Sequence, residues 1–260
     1  MTNFFYELNV FNQALIASML TFTMTVIGAA TVFLFKNVKK EIMNVMISLS
    51  AGIMLSAAIF SLLLPAIEQA NNLNLNTPLI ISISILLGSL LLIFGDKFSN
   101  KYILSPRANS KNTLMLIVSI VLHNIPEGMA IGCAFGSIMY GLDGATVAAA
   151  ISLAIGVGIQ NFPEGAAISI PLRNAGYSRL KSFTIGALTG IVEPIGAIAG
   201  VILVLKIKLI LPYLLAFAAG AMIFVVMEEL IPEFAESKFK SLMSYIALAG
   251  FVFMMILEII

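Results

Sequence analysis

His123-Asn124-Ile125-Pro126-Glu127-Gly128 and Gln160-Asn161-Phe162-Pro163-Glu164-Gly165 are two copies of one pattern, each inside a long apolar run where a polar side chain is costly. Each copy sets a neutral polar group, His123 or Gln160, four residues before a carboxylate, Glu127 or Glu164. That spacing places the two on one helical face about a turn apart. Each also carries a proline, which removes a backbone donor and crowds the carbonyl four residues earlier, leaving the Leu122 and Ile159 carbonyls under-used. Irregular helices of this kind are tolerated at membrane depth where they line a cavity.

The composition around the motifs is that of an integral membrane protein. Of 260 residues, 60% are hydrophobic and 10% charged, and the mean hydropathy is +1.06. A bilayer core of roughly 30 Å needs about 20 apolar residues per helical span. Eight such stretches lie near 11–35, 42–67, 78–95, 113–139, 144–172, 182–205, 209–232 and 241–259, which predicts an all-α fold of eight transmembrane helices in one transmembrane domain. Their ends are punctuated by Lys36-Asn37-Val38-Lys39-Lys40, the Asn-rich stretch 71–76 before Pro78, Gly141, Asn174-Ala175-Gly176 and Pro212. No basic segment with a small-residue cleavage site precedes the first span, so no removable signal peptide is expected.

Eight spans put both termini on one side. With the termini outside, the cytoplasmic loops hold Lys36, Lys39, Lys40, Lys97, Lys101, Arg107, Lys111, Arg173, Arg179, Lys181, Lys238 and Lys240, which is twelve of the fourteen basic residues. Only Lys206 and Lys208 remain outside, so the positive-inside rule predicts outward termini in a multi-pass protein of the cell (plasma or inner) membrane. The net charge of +1 argues against a nucleic-acid partner. The single cysteine, Cys133, excludes an intrachain disulfide or a cysteine-rich metal site and reads as a packing residue.

Glu127, Glu164 and Glu193 fall near the middle of spans four, five and six, and Glu228 and Glu229 near the inner end of span seven, while no Lys or Arg lies at mid-span. Carboxylates there without a basic partner must be protonated or neutralised by a cation from solution. Spans four and five are antiparallel neighbours, so their motifs meet at similar depth. His123, Glu127, Gln160 and Glu164 then supply nitrogen and oxygen donors, with Asn124 and Asn161 one position round the helix. This mixed set suits Zn²⁺ and other first-row divalent ions better than Ca²⁺ or Mg²⁺, without choosing among Zn²⁺, Fe²⁺, Mn²⁺ and Cd²⁺. Gly128 and Gly165 are read as points of close helix approach.

With these residues in view, the chain resembles the ZIP (Zrt-, Irt-like protein) family of divalent metal transporters, in its prokaryotic branch. The resemblance rests on the two motifs, on Glu193-Pro194-Ile195-Gly196 in span six, and on Glu228-Glu229-Leu230-Ile231-Pro232-Glu233, which is similar to the family's His-Glu-x-Ile-Pro-Glu element. It implies a 3+2+3 helix arrangement and a mid-membrane binuclear site. His123, Glu127, Gln160 and Glu164 match one metal position, and Asn124, Asn161 and Glu193 the second, with Glu127 and Glu164 bridging. Met54 and Ser61 match positions lining the first metal, and Glu228 and Glu229 the cytoplasmic exit. It further implies that spans one, four, five and six slide against two, three, seven and eight, and that the chain forms a homodimer. Gln160 and Glu228 stand where many relatives have histidine, Asn161 where some have an acid, and the loop at 97–112 lacks histidine.

The function these features imply is uptake of a divalent metal, zinc foremost, by alternating access. A passive channel using the same site is the alternative. An intramembrane metalloenzyme would need an H-E-x-x-H element or several histidines, and His123 is the only one, so no enzyme is expected and the metal is cargo.

Overall fold

A computed structural model describes the backbone of residues 2–34, 39–102, 108–141 and 145–259, and the side chains of these except 2–4, 96, 98–102, 108–119 and 208. The expected boundary residues Lys36, Asn37 and Val38, the basic Arg107 and the expected start of span five at 144 lie outside the described residues, as do the side chains of Lys101 and Lys111.

After a short turn of helix, Thr2–Glu7, the long helices are α1 (Val10–Leu34), α2 (Lys40–Asn72), α3 (Thr77–Tyr102), α4 (Ala108–Ile138), α5 (Val147–Asn174), α6 (Arg179–Lys206), α7 (Leu211–Ala235) and α8 (Lys240–Ile259). The described residues form no strand, and within them α1, α2, α3, α5, α6, α7 and α8 are apolar and long enough to cross a membrane. Most run a few residues past the expected apolar stretches, because polar ends add a turn beyond the hydrocarbon-facing part. Local sequence explains the ends. The side chains of Asn9, Thr146 and Ser178 accept hydrogen bonds from Asn12, Ala149 and Lys181 N–H groups at the starts of α1, α5 and α6. The turns after α4 and α5 use Gly141 (φ 56°) and Gly176 (φ 95°), where a side chain would be strained.

Prolines shape the helix interiors. Pro126 and Pro163 sit inside α4 and α5, and both helices continue through them. In α2 and α7 a π segment (Ala58–Leu63; Val226–Leu230) precedes Pro65 and Pro232. Each proline leaves the carbonyl four residues earlier, Ser61 or Glu228, without its usual donor, and the wider turn accommodates this. In α6 the same constraint from Pro194 is met by a tighter 3₁₀ turn at Thr189–Ile191.

The helices pack in four closest pairs: α1 with α5, α4 with α6, α2 with α8 and α3 with α7. Every pair is built the same way. A methyl group added at Gly28, Gly165, Gly128, Gly196, Gly52, Gly250, Gly88 or Gly220 would run into a backbone carbonyl of the partner helix. In each case that carbonyl belongs to the residue three before the partner's own glycine. Thus Gly28 meets Phe162 and Gly165 meets Thr25; Gly196 meets Ile125 and Gly128 meets Glu193. Gly52 and Gly250 face Ala247 and Leu49, and Gly88 and Gly220 face Phe217 and Ile85. Close backbone approach of this kind maximises dispersion contacts where lipid offers no hydrophobic drive between helices.

The pairing also exposes an internal repeat. Exchanging α1 with α6, α2 with α7, α3 with α8 and α4 with α5 maps the four pairs onto themselves and each glycine contact onto another. Since α1–α3 and α6–α8 start on opposite sides, the repeat is inverted. Two groups emerge: α1, α4, α5 and α6 contact one another extensively, and α2 and α7 join α8 and α3, with α2–α5 and α4–α7 contacts between the groups. α3 and α8 are the least buried and carry large exposed apolar side chains such as Leu86, Phe94, Tyr245 and Leu248.

Candidate metal-binding site

The two proline motifs face each other where α4 and α5 meet. His123, Asn124, Glu127, Gln160, Asn161, Glu164 and Glu193 are all buried, none more than 6% exposed. The Gln160 amide donates to Glu127 Oε1 at 2.6 Å, and His123 Nε2 lies 3.7 Å from Glu164 Oε2. Each contact crosses from one motif to the other, so the first histidine faces the second carboxylate and the second amide faces the first. Among the described residues, no three His, Cys, Asp or Glu side chains form a metal-ligating cluster. The donors are therefore a mixed set of one imidazole, carboxylates and amides.

Acceptors dominate this region. Asn124 Oδ1, Glu127 Oε2, Gln160 Oε1, Asn161 Oδ1 and both Glu164 oxygens are buried and accept no hydrogen bond. Each such acceptor costs about 1–3 kcal/mol of desolvation. A cation is the species that would satisfy several at once.

Behind them lies a second group. Glu193 accepts from Asn161 Nδ2 at 2.7 Å on Oε2 and from Thr25 Oγ1 at 3.2 Å on Oε1. Asn161 Nδ2 also points to the Thr21 carbonyl at 3.4 Å, and Asn124 Nδ2 to the Thr189 carbonyl at 3.3 Å. Thr25 and Thr189 were absent from the sequence reading. Its available signal was the pair Thr25-Val26-Ile27-Gly28 and Glu193-Pro194-Ile195-Gly196, which the inverted repeat superimposes.

Two cavities approach the site from opposite ends of the bundle. One, of about 320 Å³, is lined by His123, Pro163, Glu164, Ser50, Glu229 and Glu233 among others. It opens between α2, α4, α5 and α7 at the end bearing Lys40 and Arg173. Ser50, on its wall, donates to the Gln160 carbonyl at 3.3 Å, linking α2 to α5. The other, of about 260 Å³, includes Ser61, Glu68, Gln69, Ser137, Thr146 and Glu258 and does not reach either motif. Between them along their helices lie Met54, Ala57 and Ala58 of α2, Ile131 of α4 and Val157 of α5, all fully buried in the apolar core. Met54 is thus placed in that barrier, Ser61 in the far cavity and Glu229 in the near one, while Glu228 is exposed. Cys133 is a free, buried cysteine in the apolar core, as expected of a packing residue.

Comparison with known proteins settles the family. The model of the ZIP zinc transporters matches residues 104–258. The human zinc transporter ZIP11 is 33% identical across 95% of this chain and 96% of its own length. The chain belongs to the ZIP zinc transporter family. Two bacterial ZIP relatives are similarly placed: the zinc transporter GufA of Myxococcus xanthus is 32% identical over 94% of this chain and 97% of its own. The zinc transporter ZIPB of Bordetella bronchiseptica is 32% identical over 91% and 77%. Both proline motifs and the α6 Glu193-Pro194 element fall within the part of the chain matched by the ZIP model.

Proposed function

We propose that this protein carries a divalent transition metal, zinc first among Zn²⁺, Fe²⁺, Mn²⁺ and Cd²⁺, across the cell membrane toward the cytoplasm. The ion is held by His123, Glu127, Gln160 and Glu164. The observation that carries this reading is the buried set of unbonded acceptor oxygens around two carboxylates in a region with no Lys or Arg at mid-span. One dication neutralises Glu127 and Glu164 together and supplies the missing partners. A single nitrogen among oxygens permits zinc and leaves room for harder ions.

Alternating access is favoured over a passive channel because the cavity from one end reaches His123 and Glu164 while an apolar barrier separates it from the other cavity. In this reading α1–α8 are eight spans in the family's 3+2+3 plan, with both termini outside. The 320 Å³ cavity then faces the cytoplasm, and Glu229 and Glu233 line the exit. Ions enter by the cavity of Ser61. The group α1, α4, α5 and α6 moves against α2, α3, α7 and α8, and two copies pair in the bilayer.

The test is metal accumulation in proteoliposomes by wild type and Glu127→Ala. Glu127→Ala removes one of two neutralising charges and leaves the Gln160 amide without its acceptor, so uptake should fall to background. Equal uptake by the two proteins refutes the site.

A further inference from the structure

We infer that Glu193 is not a metal ligand: with Thr25 and Asn161 it forms a hydrogen-bonded clasp that joins α1, α5 and α6, and the transport site holds one ion. The inference rests on the reading of His123, Glu127, Gln160 and Glu164 as the ion site, and it parts from the binuclear centre that family resemblance implies.

Occupancy of the carboxylates separates the two groups. Both Glu193 oxygens receive donors, from Thr25 and Asn161, whereas Glu127 has one oxygen without a donor and Glu164 has two. A carboxylate already bonded on both sides must lose those bonds to ligate an ion, and each is of the stronger, charge-assisted type when the group is ionised. Space beside Glu193 is filled: a methyl placed on Gly190 would lie 2.9 Å from its Oε1 and 3.0 Å from Thr25 Oγ1.

With Glu193 held by Thr25 and Asn161, the second metal position that the resemblance implies keeps only the neutral amide oxygens of Asn124 and Asn161 beside the shared Glu127 and Glu164, and two carboxylates match one dication.

The clasp has a mechanical purpose. Thr25 on α1 is the inverted-repeat counterpart of Glu193 on α6, so the two meet where α1 and α6 cross behind α5. A second carboxylate at residue 25 would repel Glu193, while a hydroxyl donates to it. With Gln160–Glu127 linking α5 to α4 and Asn124–Thr189 linking α4 to α6, the four helices are tied by side-chain bonds into one body. Thr25 is a positioning residue: it holds the body together during movement without touching the ion.

The test uses full-length protein in detergent, equilibrium dialysis against Cd²⁺ or Zn²⁺, and elemental counting of bound metal per chain. Glu193→Gln keeps an acceptor for Thr25 and should bind as many ions as wild type. Glu127→Gln should bind one fewer. In proteoliposomes Thr25→Val should lower the maximal uptake rate about five- to tenfold with KM unchanged, and Thr25→Ser should restore it. One ion fewer in Glu193→Gln, or a wild-type rate in Thr25→Val, overturns the clasp. No ion lost in Glu127→Gln instead overturns the ion site itself, so the two failures are distinguishable.

Discussion

Replacing Gly196 with alanine tests whether reciprocal glycine contacts hold the helices at their observed separation. The added methyl would sit 2.8 Å from the Ile125 carbonyl oxygen, 3.1 Å from the Met129 nitrogen and 3.3 Å from the Gly128 Cα. Ordinary contact begins at 3.4 Å, and all three atoms are backbone, which cannot rotate away. α6 must therefore retreat from α4 by about 0.6 Å, at an overpacking cost of about 1–3 kcal/mol. Alanine's helix propensity returns about 0.5–1 kcal/mol, leaving a net loss of about 1–2 kcal/mol. The apparent Tm should fall by about 2–4 °C for each kcal/mol lost. The same retreat stretches the Asn124–Thr189 hydrogen bond, now 3.3 Å, beyond bonding range, so uptake should fall with stability.

Gly158→Ala is the matched control. A methyl there meets Met24 Cγ at 3.6 Å and Thr21 Cγ2 at 3.9 Å, ordinary contact on the α1–α5 interface. It should raise stability by about 0.5–1 kcal/mol. Cys133, the chain's single cysteine and 1% exposed, supplies the readout: a thiol-reactive fluorophore reports its exposure as the protein unfolds on heating. Shifts of the same sign in both variants would refute the packing argument.

Ala167 lines the cavity that reaches Glu164, so Ala167→Cys should react with a water-soluble thiol reagent applied from the cytoplasmic side and be protected by Zn²⁺, while Cys133 stays unlabelled. Labelling from the opposite side alone would reverse the proposed orientation. Gln160→His should bind zinc at least several-fold more tightly, because an imidazole replaces a weak amide ligand, and should narrow the range of metals that compete. A competition assay with Mn²⁺ and Cd²⁺ checks this, and unchanged ranking would remove Gln160 from the ligand set. Ser50→Ala deletes the 3.3 Å bond from α2 to the Gln160 carbonyl, which retains its place in a helix, so stability should drop by about 0.5–1.5 kcal/mol with KM little changed. Thermal exposure of Cys133 and uptake kinetics read the two effects separately.

Much of this protein was determined by local sequence. Apolar runs of about 20 residues can satisfy their backbone in lipid only as helices, and that property is readable residue by residue. The i, i+4 spacing in each proline motif likewise sets His123 with Glu127, and Gln160 with Glu164, on common faces before any packing is known. Tertiary structure decided which groups meet. The shortest contacts cross between motifs, Gln160 with Glu127 and His123 with Glu164, because α4 and α5 are antiparallel and their registers are set by neighbours. The role of Thr25 could not be read from a hydroxyl in an apolar run; it depends on glycines that bring α1 and α6 against α5 and α4. The inverted repeat was hidden for the same reason. Its surviving marks are eight glycines and the carbonyls they admit, and a missing side chain acquires meaning only when another backbone occupies its place.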